Sequence, residues 1–539
     1  MKLNLKELAK KDEWKGYTLP SFNVESVIKE TEKSPRWIHF GAGNIFRIFP
    51  AGLCQSLLNQ GLMKSGILVG EGFDFEIISK IYRPHDNLTL GVTLKADGSI
   101  TKEVIASVAE AVTCDPTNNK DWSVLENAFK NPSLQMVSFT ITEKGYALYG
   151  PDGSLFKGYV ADFGGKLEDA KMFLCRLVRF LNERFENGKT PLALVSMDNC
   201  SHNGEKLRNA IVTIAEKFAE NGSVSKEFAA WVSDEKCVAF PWSMIDKITP
   251  RPDASVKAML EKDGFEDTEA IITDKHTYIA PFVNAEEAQY LVIEDRFPNG
   301  RPALEKAGVY MTDRDTVNKV EKMKVCTCLN PLHTALAISG CLLGYTLISA
   351  EMKDADLSKM VDRLGYTEGL PVVVNPGILD PKAFIDEVLK KRIPNPFMPD
   401  TPQRIATDTS QKLSIRFGET VKSYLANPSL DIKTLKVIPL VYALWCRYLM
   451  AIDDNGNAFE LSPDPMIEVV KPMLSSVTLG STFDVDKLLH PLLSNEKIFG
   501  LDITSTPLYE SVKKDFVSLT KGKGAVRATI HAVVNEKLA

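Results

Sequence analysis

The sequence predicts an α/β domain followed by a mostly α-helical one, on three observations. Up to about Val309, short apolar strand-like runs alternate with segments of helical spacing. From about Tyr310 the strand signals fade and long helical patterns take over. The chain's 539 residues exceed what one ordinary core holds, so two domains, 1–309 and 310–539, are expected.

In the first part, WIHFG, GILVGEG, QMVSFTIT and LALVSMDN have the β-branched, apolar make-up of buried strands. EDAKMFLCRLVRFLNERF and GEKLRNAIVTIAEKFAE carry apolar residues at helical spacing. Strands alternating with helices indicate a largely parallel sheet. The second part reads as helices: PLHTALAISGCLLGYTLISAEM, DPKAFIDEVLKKRI, LKVIPLVYALWCRYLMAI and TPLYESVKKDFVSLT. The longest uncharged run, Thr334 to Ala350, is shorter than the ~20 apolar residues a membrane span needs, and it contains Ser, Thr, Tyr and Gly. A buried helix is expected there.

Composition bounds the partners. The chain is 44% apolar and 25% charged, as in soluble globular proteins. A net charge of -6 without a long basic stripe argues against nucleic acid or an anionic membrane and leaves small molecules. The start, MKLNLKELAKKDEW, lacks the apolar core and small-residue cleavage site of a secretory signal. The nine cysteines are odd in number and mostly sit in apolar periodic segments, which suits reduced core thiols and a cytoplasmic protein. Nothing in the sequence indicates an oligomeric state.

The first strand runs straight into GAGNIFRIFPAGL. A glycine at Gly41 permits a tight turn, one at Gly43 lets backbone approach a pyrophosphate, and a following helix start at Asn44 supplies amide donors. Arg47 faces either the pyrophosphate or the surface. The third glycine of a standard dinucleotide fingerprint is replaced by Phe46. A second strand arrives about 25 to 30 residues on, where a ribose-binding acid is expected, and Glu71 and Asp74 stand at its end. A carboxylate there accepts from ribose hydroxyls and repels a 2'-phosphate, so NAD is favoured over NADP. The competing reading is an ordinary strand-to-helix turn with no ligand.

Five stretches in order, GAGNIFRIFPA, SFTITEKGY, VSMDNCSHNGEKL, FPWSMIDKITPRP and KVCTCLNPLHTAL, resemble the polyol-specific long-chain dehydrogenases, the mannitol dehydrogenase family. The matches run from about Arg36 to Lys412. The resemblance implies a Rossmann-type NAD-binding domain, a helical substrate domain and metal-independent hydride transfer. It implies Lys324 as catalytic base, with Asn330 and His333 beside it and Asn199 as a further amide. It implies Asp246, Arg404 and Lys412 as substrate-binding groups. Removing a hydroxyl proton while hydride leaves the same carbon needs a base, and an amine can serve only where burial or nearby positive charge makes it give up its proton. The activity implied is interconversion of a ketose or keto-hexuronate with its polyol or aldonate. Arg404, Lys412, Lys247 and Arg251 as cations for a carboxylate favour D-fructuronate and D-mannonate. The alternatives are D-mannitol and D-fructose, or a non-catalytic NAD-binding protein.

The chain departs from the family pattern at Phe46, at Lys247 where the family has arginine, and at Lys324, which has five rather than four residues between it and Asn330. At ~100° per residue, Lys324 and His333 on a regular helix would face roughly opposite sides. A helix starting at Pro331 with Asn330 as N-cap would relieve this, and so would a bulge in a continuous helix. Lys322 competes as the base. Cys326 and Cys328 with His333 lack a fourth ligand and the usual spacing, so no metal is expected. KGKGAVR reads as a charged turn and the Tyr509/Lys513 pair as chance.

Overall fold

The computed structural model describes residues 1–536, and the chain divides into two compact units. One comprises Met1–Leu94 with Ser99–Asn318, the other Lys95–Gly98 with Lys319–Ala539.

The first unit is built on a six-stranded sheet, wholly parallel. Its order is Val108–Thr113, Ile67–Glu71, Trp37–Phe40, Met136–Phe139, Leu192–Ser196, Val238–Ala239. The chain starts in the middle, builds outward on one side, then returns to build on the other. This is the doubly wound dinucleotide-binding order, whose switch point lies between Trp37–Phe40 and Met136–Phe139. The strands are buried on both faces, which is why they read as apolar runs rather than alternations. Ile38, Phe40, Val137 and Phe139 join one core with the helices Asn119–Lys130, Phe173–Glu186 and Asn203–Glu220. Trp37, Val69, Met136 and Val195 face the other core, with Pro50–Asn59.

Three smaller sheets belong to the same unit, one of them the short antiparallel pair Ile271–Ile272 and Tyr278–Ile279. Thr89–Leu94 pairs antiparallel with Ile100–Ile105 and parallel with Phe282–Glu286. Tyr290–Glu294 pairs antiparallel with Ser243–Asp246 and parallel with Tyr310–Thr312.

Arg184 ties the sheet's amino edge together. It is buried near the end of its helix, and its guanidinium donates to the carbonyls of Thr190 (2.7 Å), Phe129 (2.7 Å), Asn131 (2.9 Å), Leu134 (3.0 Å) and Pro191 (3.1 Å). All five of its N–H donors are used.

The second unit is helical, around Val437–Leu449, every residue of which is buried. A helix apolar on all sides belongs inside a bundle, and this one packs on Leu508–Leu519 and Asn330–Leu343. Its amino end is capped by the buried Glu368 carboxylate, which accepts from the amides of Lys436 (2.7 Å), Val437 (2.7 Å) and Ile438 (3.0 Å). The uncharged run after Thr334 is broken at Gly344, φ 78°, into Asn330–Leu343 and Ile348–Glu351. The segment Arg314–Leu343 is long and apolar enough to cross a membrane, but 83% of its apolar window is buried inside the protein, as in a core helix.

Arg184→Met removes five bonds and leaves buried carbonyls unpaired, so a loss of about 3–5 kcal/mol in unfolding free energy is expected. Denaturant unfolding checks it.

Candidate active site

The glycine turn is fixed from several sides. Gly41 has φ 106°, and a Cβ there would lie 2.2 Å from the Thr140 carbonyl oxygen, so only glycine fits. Gly43 has open space where its Cβ would be. The residues therefore fit a dinucleotide: the tight turn is satisfied internally and the backbone at Gly43 can be approached closely. Phe46 does not obstruct this. It is buried and stacks on His39, with ring centroids 4.1 Å apart, so packing under the turn is aromatic where the standard fingerprint uses glycine. The His39 ring is held by the hydroxyls of Ser138 (2.6 Å) and Thr140 (2.9 Å), and burial pushes its imidazole down to about 3.

One expectation near the turn is corrected. Arg47 faces neither a pyrophosphate nor the surface. It is fully buried and donates to the carbonyls of Ala280 (2.8 Å) and Pro281 (3.2 Å), the Thr89 hydroxyl (3.1 Å) and the Asn44 side chain (3.4 Å). Glu71 accepts from the amides of Ala42 (2.8 Å), Phe73 (2.8 Å) and Asp74 (3.0 Å), so its carboxylate holds the turn together. Burial raises its pKa and the three amides oppose the rise. Asp74 is also buried and accepts from the Thr273 hydroxyl at 2.6 Å.

Asn199 is exposed on the loop after Leu192–Ser196, and its neighbours lock that loop. Asp198 accepts from the amides of Ile141 (3.0 Å) and Thr142 (2.9 Å) and from the Tyr146 hydroxyl (2.6 Å). It thereby joins VSMDN to SFTITEKGY and holds Thr142 at φ 65°. The buried Asn203 donates to the carbonyls of Asp198 (3.0 Å) and Ser196 (3.3 Å) and to the Ser243 hydroxyl (3.0 Å), and it accepts from the Ser243 amide (3.0 Å). Asp198 and Asn203 stood inside the quoted motifs but were not singled out. Asp246 is buried at the end of its strand, and Lys247 next to it donates to the Glu286 carbonyl (2.7 Å) and the Gln289 side chain (2.9 Å).

In the second unit, the added residue before Asn330 is taken up by a π-helical turn, Lys324–Cys328. The Leu329 amide bonds to the Lys324 carbonyl at 3.2 Å, five residues back, and regular helix resumes from Asn330. The bulge is thus the solution adopted. Asn330 is not an N-cap: Leu329, at φ -133°, precedes the resumed helix, and Pro331 falls in its first turn. Lys324 is 4% exposed, whereas Lys322 is exposed and pairs with Glu419 at 3.7 Å. The thiols of Cys326 and Cys328 are pushed up to about 11 and about 12 by burial.

His333 lies in an arginine-rich surround. Burial lowers its imidazole to about 4; Asp400 opposes this, and Arg392, Arg416 and Arg404 add to it. The ring is therefore neutral near neutral pH. Arg404 is exposed and ion-paired with Asp400. The Lys412 amine donates to the carbonyls of Thr407 and Ile405, and burial lowers its pKa.

A doubly wound NAD(P)-binding domain in one unit, and a buried lysine with an asparagine and a histidine on one helix of the other, define an oxidoreductase acting on CH–OH groups. The Mannitol dehydrogenase Rossmann domain matches residues 35–306 and the Mannitol dehydrogenase C-terminal domain matches 316–520, so the chain belongs to the mannitol dehydrogenase family. Among its relatives, D-mannonate oxidoreductase of Thermotoga maritima is 49% identical, with all of both chains covered. Mannitol 2-dehydrogenase of Cereibacter sphaeroides is 29% identical over 83% of this chain and 86% of its own. Two solved structures share the fold. Substrate-free D-sorbitol dehydrogenase has a TM-score of 0.81 at 23% identity, covering 98% of this chain and 100% of that one. Mannitol 2-dehydrogenase of Pseudomonas fluorescens, a ternary complex with NAD and D-mannitol, has a TM-score of 0.69 at 24% identity, with all of both chains covered.

An unfolded histidine titrates near ~6.5, so between there and about 4 the unfolded chain binds a proton that folded His333 does not. Its contribution to stability is full above that range and is lost as pH falls through it. His333→Asn should therefore lose less stability than wild type between pH 7.5 and 5, read from denaturant midpoints. Parallel profiles would contradict it.

Proposed function

We propose that this enzyme interconverts D-mannonate and D-fructuronate with NAD, using Lys324 as general base in the oxidising direction and general acid in the other. The relative named D-mannonate oxidoreductase, at 49% identity over the full length of both chains, carries the choice of substrate. The arginines around His333 support it, because they suit a substrate carboxylate.

The dinucleotide, when bound, supplies the hydride acceptor or donor. In oxidation Lys324 takes the hydroxyl proton while the carbon–hydrogen bond breaks and its electron pair leaves as hydride, so that the C–O bond becomes a carbonyl. Asn330 donates to the oxygen as charge develops there, and neutral His333 donates to the same oxygen through one ring nitrogen. The family pattern gives Asn199 a like role and Asp246 a flanking hydroxyl. Arg404 and Lys412 add positive charge in the substrate's surround. The buried carboxylates of Glu71 and Asp74 support NAD over NADP through their charge, since a 2'-phosphate beside them would be repelled. A cytoplasmic location belongs to the same proposal, supported by the nine free cysteines.

Lys324→Ala should lower NADH-dependent reduction of D-fructuronate by about 10²–10⁴-fold, with NADH affinity unchanged. Lys322→Ala should stay within about twofold of wild type, as expected of an exposed surface pair. Loss of turnover only in Lys322→Ala would move the base to that residue. Faster wild-type turnover of D-fructose than of D-fructuronate would replace the substrate.

A further inference from the structure

We infer that Arg416 is the guanidinium that binds the substrate's carboxylate and so sets the preference for a sugar acid over a neutral polyol; this rests on the sugar-acid reading above. The cations that the family pattern assigns are already engaged. Arg404 is exposed and held by Asp400, and Lys412 donates to two backbone carbonyls. Arg416 differs from both. It is half-buried, and among the described residues no carboxylate lies within ion-pair distance of it. Its side chain makes one hydrogen bond there, from Nη1 to the Thr334 hydroxyl.

A guanidinium taken out of water without a counter-ion is costly, and burial lowers this one to about 10. The remaining donors form a planar fork suited to bidentate carboxylate recognition. Position supports the same assignment. Thr334 follows His333 directly, and its hydroxyl donates to the Asn330 carbonyl at 3.0 Å, so Arg416 is anchored to the turn that carries two of the reacting groups. Arg416 itself lies in a π-helical turn, Ser414–Gly418, that packs on the π-helical turn of Lys324. It also contributes to the positive field at His333. No recognised motif includes it, which is why the sequence did not point to it.

The test is steady-state reduction of D-fructuronate by wild type, Arg416→Met and Arg416→Lys, with NADH affinity and thermal melting measured alongside. A charge-assisted bond of about 1.5–3 kcal/mol predicts a rise in KM of roughly 10- to 100-fold in Arg416→Met, with kcat within about threefold and NADH affinity unchanged. Arg416→Lys should show a smaller rise, and it keeps the test decisive if the methionine variant does not fold. An unchanged KM in the folded variants, or a fall in kcat at unchanged KM, overturns the assignment and leaves the residue a prop for Thr334. If wild type does not turn over D-fructuronate, the sugar-acid reading fails and this assignment falls with it.

Discussion

The π-helical turn at Lys324–Cys328 is the constraint on which the candidate catalytic group depends. On a regular helix, nine steps from Lys324 to His333 rotate the side chains to roughly opposite sides. One extra residue absorbed in a π turn leaves the flanking helix nearly in phase, so the nine steps behave as eight and the two directions differ by roughly 80°. The bond from the Leu329 amide to the Lys324 carbonyl, 3.2 Å long, is the direct mark of that bulge. Lys324 is buried and Lys322 exposed, so the two lysines that the sequence left in competition differ in their surroundings.

The turn is not isolated. Among the described residues, Arg392 lies in a π-helical turn at Val388–Arg392 and Arg416 in one at Ser414–Gly418. Each widened turn gives up a regular i to i+4 pattern. Three of the π-helical turns thus carry the cationic residues Lys324, Arg392 and Arg416. Arg392 and Arg416 both add positive charge around His333, whose buried imidazole stays neutral near neutral pH.

Much of the fold was legible because periodicity reports burial. Ile67–Glu71 and Leu192–Ser196 are continuous apolar runs because helices cover both faces of their sheet, and Asn203–Glu220 shows the spacing of a helix lying on it. The glycine turn was legible because Gly41 has a steric reason that no other residue meets. The roles of Arg47 and Glu71 were not. Residue type and distance from the turn place a charge there, but they do not say that carbonyls of Ala280 and Pro281, far along the chain, or the amides of Ala42, Phe73 and Asp74 will take it up. Spacing did expose the misfit at Lys324, since a count of five where four is usual is visible in one line of sequence. It left open which backbone distortion resolves the misfit. Arg416 carried no signal, because a guanidinium with no carboxylate at ion-pair distance among the described residues is defined by what is missing around it in space.

The most direct measurement of this account removes the added residue. Deleting Val325 restores four residues between Lys324 and Asn330 and should turn the π turn into a regular one while keeping the relative direction of Lys324 and His333. The account predicts a folded variant with NADH affinity unchanged and D-fructuronate turnover within about tenfold of wild type, since the rotation between them stays near ~80°. A folded variant that binds NADH normally but has lost turnover to the level of Lys324→Ala would contradict it.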